Sequence, residues 1–279
     1  MTAASAGSAR GVDFLRRVAI GLMLAAVVFA SLAYIQTFTI VVLAITLGSL
    51  WELAGLSARK GQALIFPVAA TSVSVYIVLA AMGLQHRYEA AVLGFTILAA
   101  LAFSLFGERQ GYLARSAFTL FGVFYIGWLA SYFIALRNLP HIGVACTAAA
   151  VVTIAFTDIF AMIVGTTVGR TPLTSISPNK TWEGALGGFV ASTAIAATLG
   201  LLPFLDLPWW HGALIGALTS VAAQAGDIVE SALKRDARVK DAGTFLGGHG
   251  GILDRFDSYT FGGIAFYAGL YLTGHIPHA

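Results

Sequence analysis

The amino-acid sequence predicts an all-α, polytopic integral membrane protein with about nine transmembrane helices. Its 279 residues are 58% hydrophobic and only 10% charged, and the mean hydropathy is +0.84. A soluble domain carries about 25% charged residues. A soluble core could not bury this much apolar surface, so the composition indicates that lipid surrounds the chain.

Nine apolar runs approach the length that is needed to cross a bilayer. Lipid offers the backbone no hydrogen-bond partner, so each run is expected to be a helix. The strand-length alternation that is typical of a membrane β-barrel is absent. The runs lie at 17–35, 38–56, 66–84, 90–106, 116–135, 143–165, 185–204, 209–226 and 259–274.

The basic residues are divided unevenly between the two sides that nine spans would create. Only Arg87 and Arg137 fall on one side. Cytoplasmic loops carry the excess of lysine and arginine, so the other side is predicted to be cytoplasmic, with the N-terminus inside and the C-terminus outside. That side holds Arg10, Arg16, Arg17, Arg59, Lys60, Arg109, Arg115, Arg170, Lys180, Lys234, Arg235, Arg238, Lys240 and Arg255.

The two halves of the chain differ in polarity. Residues 1–142 form about five predicted spans with few polar groups inside. Residues 143–279 form a second region, predicted to be catalytic, with cytoplasmic loops at 166–184 and 231–257. Nine of the thirteen acidic residues lie beyond position 150. The inverted pair of broken helices that is typical of many transporters is not found.

The end of the sixth span and the loop after it have the residues of a phosphate site. Asp158 lies within the span, where a carboxylate costs about 2.5–3.5 kcal/mol on insertion scales and is a functional candidate by default. A structural hydrogen-bond acceptor between helices is the alternative. In the loop, Arg170, Ser177 and Lys180 supply donors for phosphate, although an ordinary basic loop before a helix would look similar.

A second polar cluster joins the eighth span to the ninth. The helix of the eighth span is expected to continue beyond residue 226, and Asp254 and Asp257 lie three residues apart at the mouth of the ninth span. Hard oxygen ligands without a cysteine and histidine set indicate magnesium rather than zinc. Charges on a helix are also typical of a solvated face. The continued helix would carry on one face Asp227, Glu230, Ser231, Lys234 and Arg235.

The same region contains three linked stretches: Ser231-Ala-Leu-Lys-Arg235, then Lys240-Asp241, then His249-Gly-Gly-Ile-Leu-Asp254-Arg255-Phe-Asp257. Together they resemble the signature of the phosphatidate cytidylyltransferase family, the CDP-diglyceride synthases, without a mismatch at its fixed positions. SPNKTWEG at 177–184 resembles a second stretch of that family. The similarity in motifs covers roughly residues 157–258. Met162 stands where the family is expected to have an aromatic residue.

The resemblance implies that CTP and phosphatidate give CDP-diacylglycerol and pyrophosphate, with magnesium as cofactor and a second cation left open. A lipid phosphate oxygen would attack the α-phosphorus of CTP, and catalysis would depend on positioning and charge neutralisation. The implied metal ligands are Asp227 and Asp254, with Asp257 as a secondary candidate. The implied catalytic residues are Asp227, Asp254, Lys234, Arg235 and Arg255. The implied substrate-binding residues are Lys180, Arg170, Ser177, Asn179, Ser231, Lys240, His249 and Gly250.

The expected partners are CTP, phosphatidic acid and membrane lipid, with no nucleic acid and with a homodimer left open. The expected location is a bacterial-type inner or plasma membrane, with the active site facing the cytosol. A CTP-dependent enzyme similar to prenol or dolichol kinases is one alternative. A cation-coupled transporter is another, although the acidic residues crowd one face of the membrane. A CDP-alcohol phosphotransferase is disfavoured because its DG-x-x-AR motif is absent.

Overall fold

A computed structural model describes residues 19–106, 111–243 and 250–276, and this part of the chain is all-helical. Its only β-type pairing is an isolated bridge between Pro172 and Thr181. The helices, numbered here in chain order, are α1 Ala19–Ser31, α2 Ile35–Arg59, α3 Phe66–Ala81, α4 Gln85–Ser104, α5 Tyr112–Arg137, α6 Gly143–Thr167, α7 Trp182–Gly200, α8 Trp209–Asp236 and α9 Leu253–Leu272.

Each of the nine predicted spans coincides with one of these helices, which confirms the all-α membrane fold. Five of them, α2, α4, α5, α6 and α8, are long and apolar enough to cross a membrane. The expected continuation of the eighth span is also confirmed, because α8 extends to Asp236. The count of nine spans and the orientation stay predictions, and Arg10, Arg16, Arg17 and Arg109 lie outside the described residues.

Large apolar side chains cover the outer surface of the bundle. Phe95 on α4 and Leu186 on α7 are mostly exposed, and so is Phe106 just after α4. A soluble protein rarely exposes apolar residues as contiguous patches. Lipid is the solvent that accommodates such a surface, which agrees with an integral membrane protein.

The four C-terminal helices pack most closely, α6 on α7, α7 on α8 and α8 on α9. Small residues permit this approach, as is usual between membrane helices. A Cβ atom added at Gly188 would lie 2.6 Å from the Thr157 carbonyl oxygen, and one added at Gly226 would lie 2.7 Å from the Asp257 carbonyl oxygen. Backbone therefore meets backbone where α8 and α9 carry their acidic residues.

The N-terminal helices are held together by an apolar core and by paired polar side chains. Leu50, Tyr76 and Ile126 are buried in that core. Gln85 donates to Ser131 across 2.9 Å, and hydrogen bonds of this kind join membrane helices. The centre of α5, Val123–Trp128, is a π-helical stretch. This bundle supports the C-terminal helices from one side, because α2 and α5 also contact α9.

Candidate active site

The connection from α6 to α7 is a tightly hydrogen-bonded loop. The carboxylate of Glu183, in the first turn of α7, accepts bonds from the backbone N–H groups of Arg170 and Thr171 and from the Thr171 hydroxyl. The Leu173 N–H donates to the Lys180 carbonyl oxygen across 2.7 Å. Such bonds fix the backbone on both sides of Lys180, so its side chain starts from a defined position.

Lys180 forms an ion pair with Asp227 of α8, with Nζ 2.5 Å from Oδ2. Both side chains line a cavity of about 370 Å³, which opens between the α6–α7 loop and the ends of α6 and α8. The predicted residues Ser177 and Asn179 line the same cavity, and so does Asp158. The structure therefore brings together three of the substrate-binding residues expected from the sequence, beside one of the expected metal ligands.

Three carboxylates from α8 and α9 face one another at the helix contact. Ligand oxygens of Asp227, Glu230 and Asp257 all lie within 4.8 Å of one another. The Glu230 side chain is 0% exposed, and Asp257 is 8% exposed. Neither oxygen of Glu230 has a hydrogen bond of good geometry. Clustered carboxylates, two of them buried, repel one another, and their oxygens are the ligands that a hard divalent cation such as magnesium prefers.

Lys234 bridges two carboxylates next to this cluster. Its Nζ lies 2.5 Å from Glu230 Oε2 and 2.6 Å from Asp254 Oδ1, and its side chain is only 14% exposed. The other oxygen of Asp254 accepts bonds from the Gly251 and Ala242 N–H groups at 2.7 and 3.0 Å. Asp254 thus joins the first turn of α9 to α8 and to the segment that follows α8.

Asp158 of α6 extends the row of acidic groups toward α9. Its Oδ1 accepts a hydrogen bond from the Ser258 hydroxyl across 3.1 Å, and Ser258 is the residue after Asp257. The two interpretations drawn from the sequence are compatible here, because Asp158 joins two helices and also lines the polar cavity. We call this group of side chains the acidic cluster. Its members are the carboxylates of Asp158, Asp227, Glu230, Asp254 and Asp257 and the two lysines Lys180 and Lys234.

The remaining predicted residues have varied positions. Arg170 is exposed and contacts Glu183 through its backbone. Arg235 donates to the Val239 carbonyl oxygen. Gly250 has a φ of 83°, which favours glycine, and lies against Asp254. Arg255 lines an apolar cavity between α9 and helices of the N-terminal half. Ser231 is half-buried and Lys240 is exposed, and His249 lies outside the described residues.

Two buried acidic residues, Glu230 and Glu52, had no role assigned to them from the sequence. Glu230 was placed on the correct helix face but not among the metal ligands. Glu52 of α2 was not singled out, yet it is 6% exposed and contacts the start of α9. A carboxylate inside a predicted span is a functional candidate by default. The rule that selects Asp158 therefore selects Glu52 as well.

Comparison with known proteins identifies the family of the chain. The model of the cytidylyltransferase family matches residues 15–273. The chain is 42% identical over 168 residues to the phosphatidate cytidylyltransferase of Bacillus subtilis (strain 168), covering 60% of this chain and 62% of that protein. It is 36% identical over 230 residues to the phosphatidate cytidylyltransferase of Synechocystis sp., covering 71% of this chain and 76% of the relative.

A plant relative gives a similar picture over a shorter part of its length. Phosphatidate cytidylyltransferase 4, chloroplastic, of Arabidopsis thaliana is 39% identical over 180 residues. The match covers 56% of this chain and 46% of the relative. This chain therefore spans less than two thirds of the Bacillus and Arabidopsis proteins. The family match includes every residue of the acidic cluster, and the chain belongs to the cytidylyltransferase family.

Proposed function

We propose that the protein is a phosphatidate cytidylyltransferase, which converts CTP and phosphatidate to CDP-diacylglycerol and pyrophosphate in phospholipid biosynthesis. The observation that carries the proposal is the acidic cluster where α8 meets α9, with Lys180 and Lys234 beside it. The relatives named above support the choice of substrates. The region 143–279 would be the catalytic part, and the proposed reaction involves no nucleic acid.

The reaction joins two anions, so charge neutralisation is its main requirement. A phosphate oxygen of phosphatidate forms a bond to the α-phosphorus of CTP, and the bond from that phosphorus to the β-phosphate bridging oxygen breaks. Pyrophosphate leaves with the bonding electrons. The attacking oxygen is already ionised near pH 7, so no general base is needed. Lys180, which lines the polar cavity, would hold phosphate oxygens, and Lys234 contacts Glu230 of the acidic cluster.

The magnesium requirement is part of the proposal. Asp227, Glu230 and Asp257 would hold the cation, whose positive charge would offset the repulsion between the reacting phosphates. Asp254 remains the second ligand predicted from the sequence, although Lys234 and two backbone N–H groups engage its oxygens in the structure. A second cation is compatible with the excess of carboxylates over lysines in the cluster.

The lipid substrate needs an apolar site next to this polar one. A cavity of about 330 Å³ lies between α1, α2, α5, α6 and α9, and Arg255 is the charged residue among those that line it. The guanidinium group of arginine can bind two oxygens of one phosphate at the same time, and Arg255 directly follows Asp254. We place the acyl chains of phosphatidate in this cavity, with the lipid phosphate toward Arg255.

Narrowing the apolar cavity should weaken lipid binding selectively. Ala155 of α6 lines it, and Ala155→Phe would fill space that an acyl chain needs. Displacing about two methylenes from an apolar site costs about 0.8 kcal/mol for each, so the KM for phosphatidate should rise roughly tenfold, with the KM for CTP unchanged. Leu186→Phe, on the exposed face of α7, is the matched control. Equal KM values for phosphatidate in both variants would contradict this placement.

The polar cavity and the acidic cluster are proposed to face the cytosol, as the distribution of basic residues predicts. Lys240 and Arg87 are both exposed and should lie on opposite sides of the membrane. In a Cys146→Ala background, a membrane-impermeant thiol reagent applied from outside should label Arg87→Cys and spare Lys240→Cys until the membrane is opened. Labelling of Lys240→Cys from outside intact cells would contradict the predicted orientation.

The choice of lipid acceptor separates this function from the alternatives. Purified protein should consume CTP in the presence of magnesium and phosphatidate and should be inactive when a polyprenol replaces phosphatidate. A kinase acting on prenols would give the opposite preference. A cation-coupled transporter would give no CTP turnover with either lipid.

A further inference from the structure

A buried carboxylate of the N-terminal half contacts the start of the helix that carries Asp254. Glu52 lies in α2, inside the second predicted span. Its Oε1 accepts a hydrogen bond from the Ile252 N–H across 3.0 Å, and its Oε2 accepts one from the Leu253 N–H across 2.8 Å. The first N–H groups of a helix have no partner within it, so Glu52 caps α9 from another helix, 200 residues away in the chain.

The backbone on either side of the segment between α8 and α9 approaches the Glu52 carboxylate closely. A Cβ atom added at Gly243 or at Gly251 would overlap with the Glu52 carboxylate. One turn before Glu52, a Cβ atom at Gly48 would overlap with the Ile252 side chain. Gly243 and Gly251 come from the two ends of the segment between α8 and α9, so both ends of that segment lie close against the Glu52 carboxylate.

The Glu52 contacts lead directly to the acidic cluster. Asp254 lies two residues after Ile252, and its carboxylate accepts the N–H of Gly251, which also lies against Glu52. The same carboxylate holds Lys234, which in turn contacts Glu230. A shift of the first turn of α9 would therefore move Asp254 and loosen Lys234. Among the described residues, no ion pair of Glu52 competes with these backbone contacts.

We propose that Glu52 is a positioning residue: it fixes the first turn of α9, and through it Asp254 and Lys234, for the transfer reaction. The inference rests on the proposed function. An apolar side chain could pack α2 against α9 in lipid at lower cost, because a carboxylate within a span is expensive. The negative charge of Glu52 lies at the positive N-terminal end of α9, which offsets the cost of burying it. The carboxylate also accepts hydrogen bonds from two N–H groups that an apolar residue would leave without a partner.

The test compares Glu52→Gln with Ser57→Ala, which removes another buried polar group of α2. The glutamine amide keeps one acceptor oxygen and turns a donor toward the second N–H. Amide hydrogen exchange at Ile252 and Leu253 should become faster in Glu52→Gln, and kcat should fall about ten- to hundredfold with the KM for CTP changed only a few-fold. Ser57→Ala should retain the wild-type kcat and exchange.

Gly251→Ala provides the second variant, which does not depend on the folding of a Glu52 variant. Gly251 does not have a positive φ, so alanine fits its backbone, and the added Cβ atom would overlap with the Glu52 carboxylate. It should also speed exchange at Ile252 and Leu253 and lower kcat. Wild-type exchange and kcat in Glu52→Gln, or in Gly251→Ala if the first variant does not fold, would overturn the inference. An inactive wild-type protein would instead refute the proposed function, and the exchange experiment would still report on the contact.

Discussion

Replacement of Asp227 by asparagine should abolish cytidylyl transfer while leaving the protein folded and inserted. The amide keeps the shape of the side chain but removes one negative charge from the group formed by Asp227, Glu230 and Asp257. It also removes the ion-pair partner of Lys180. Losing a charged hydrogen-bond partner costs about 1.5–3 kcal/mol, and losing a metal ligand in addition should lower turnover by at least about a hundredfold.

Asp236→Asn is the matched control for this change. Asp236 lies on the same helix and forms a more exposed ion pair with Lys60, so its loss should cost about 1 kcal/mol or less and should not affect turnover. The measurement is specific activity per folded molecule, with magnesium titrated. If Asp227 only supports the fold, folded Asp227→Asn protein will have wild-type turnover, and excess magnesium will make no difference.

The second large effect is expected at Lys234. Lys234→Met keeps much of the length of the side chain but removes the cation from between Glu230 and Asp254. Breaking a buried ion pair on one side costs about 3–5 kcal/mol, because a charge remains buried without compensation. We expect a melting temperature in detergent well below that of the wild type and no measurable transfer activity. Removing a carboxylate as well, in Lys234→Met with Asp254→Asn, should restore part of the stability but not the activity.

Lys60→Met tests whether burial of the ion pair is the reason for the large loss of stability expected in Lys234→Met. The Lys60 pair with Asp236 is much more exposed than the Lys234 pairs, and surface ion pairs contribute about 0–1 kcal/mol. Its melting temperature should stay close to that of the wild type. A similar small loss in Lys60→Met and Lys234→Met would show that the Lys234 contacts are screened by water, which contradicts their assigned role.

The helices were predictable because an apolar run in lipid must satisfy its own backbone hydrogen bonds, which a single segment can do only as a helix. The start of α9 differed from the prediction: the apolar run begins at 259, whereas the helix begins at Leu253. Asp254 and Asp257 lower the local hydropathy, yet both lie within the helix. Their polar partners come from α8 and from neighbouring backbone, and hydropathy does not record such partners.

Within the site, contacts along one helix were predictable and contacts between helices were not. The spacing of Asp227 and Glu230 places them on one face of α8, and their proximity follows from it. The choice between Asp254 and Asp257 depends on how α9 is rotated against α8, which helical spacing alone does not determine. The contact of Glu52 with Leu253 joins residues 201 positions apart, and no local pattern predicts such a pair.

The position of the radioactive label in CTP tests the central claim most directly. Purified protein with phosphatidate and magnesium would be given CTP labelled at the α-phosphate in one reaction and at the γ-phosphate in the other. Cytidylyl transfer predicts that the α-label enters the lipid fraction as CDP-diacylglycerol and that the γ-label leaves as pyrophosphate in equal amount. Transfer of the γ-label to lipid, with the α-label remaining in soluble CDP, would identify a kinase and contradict the proposed function.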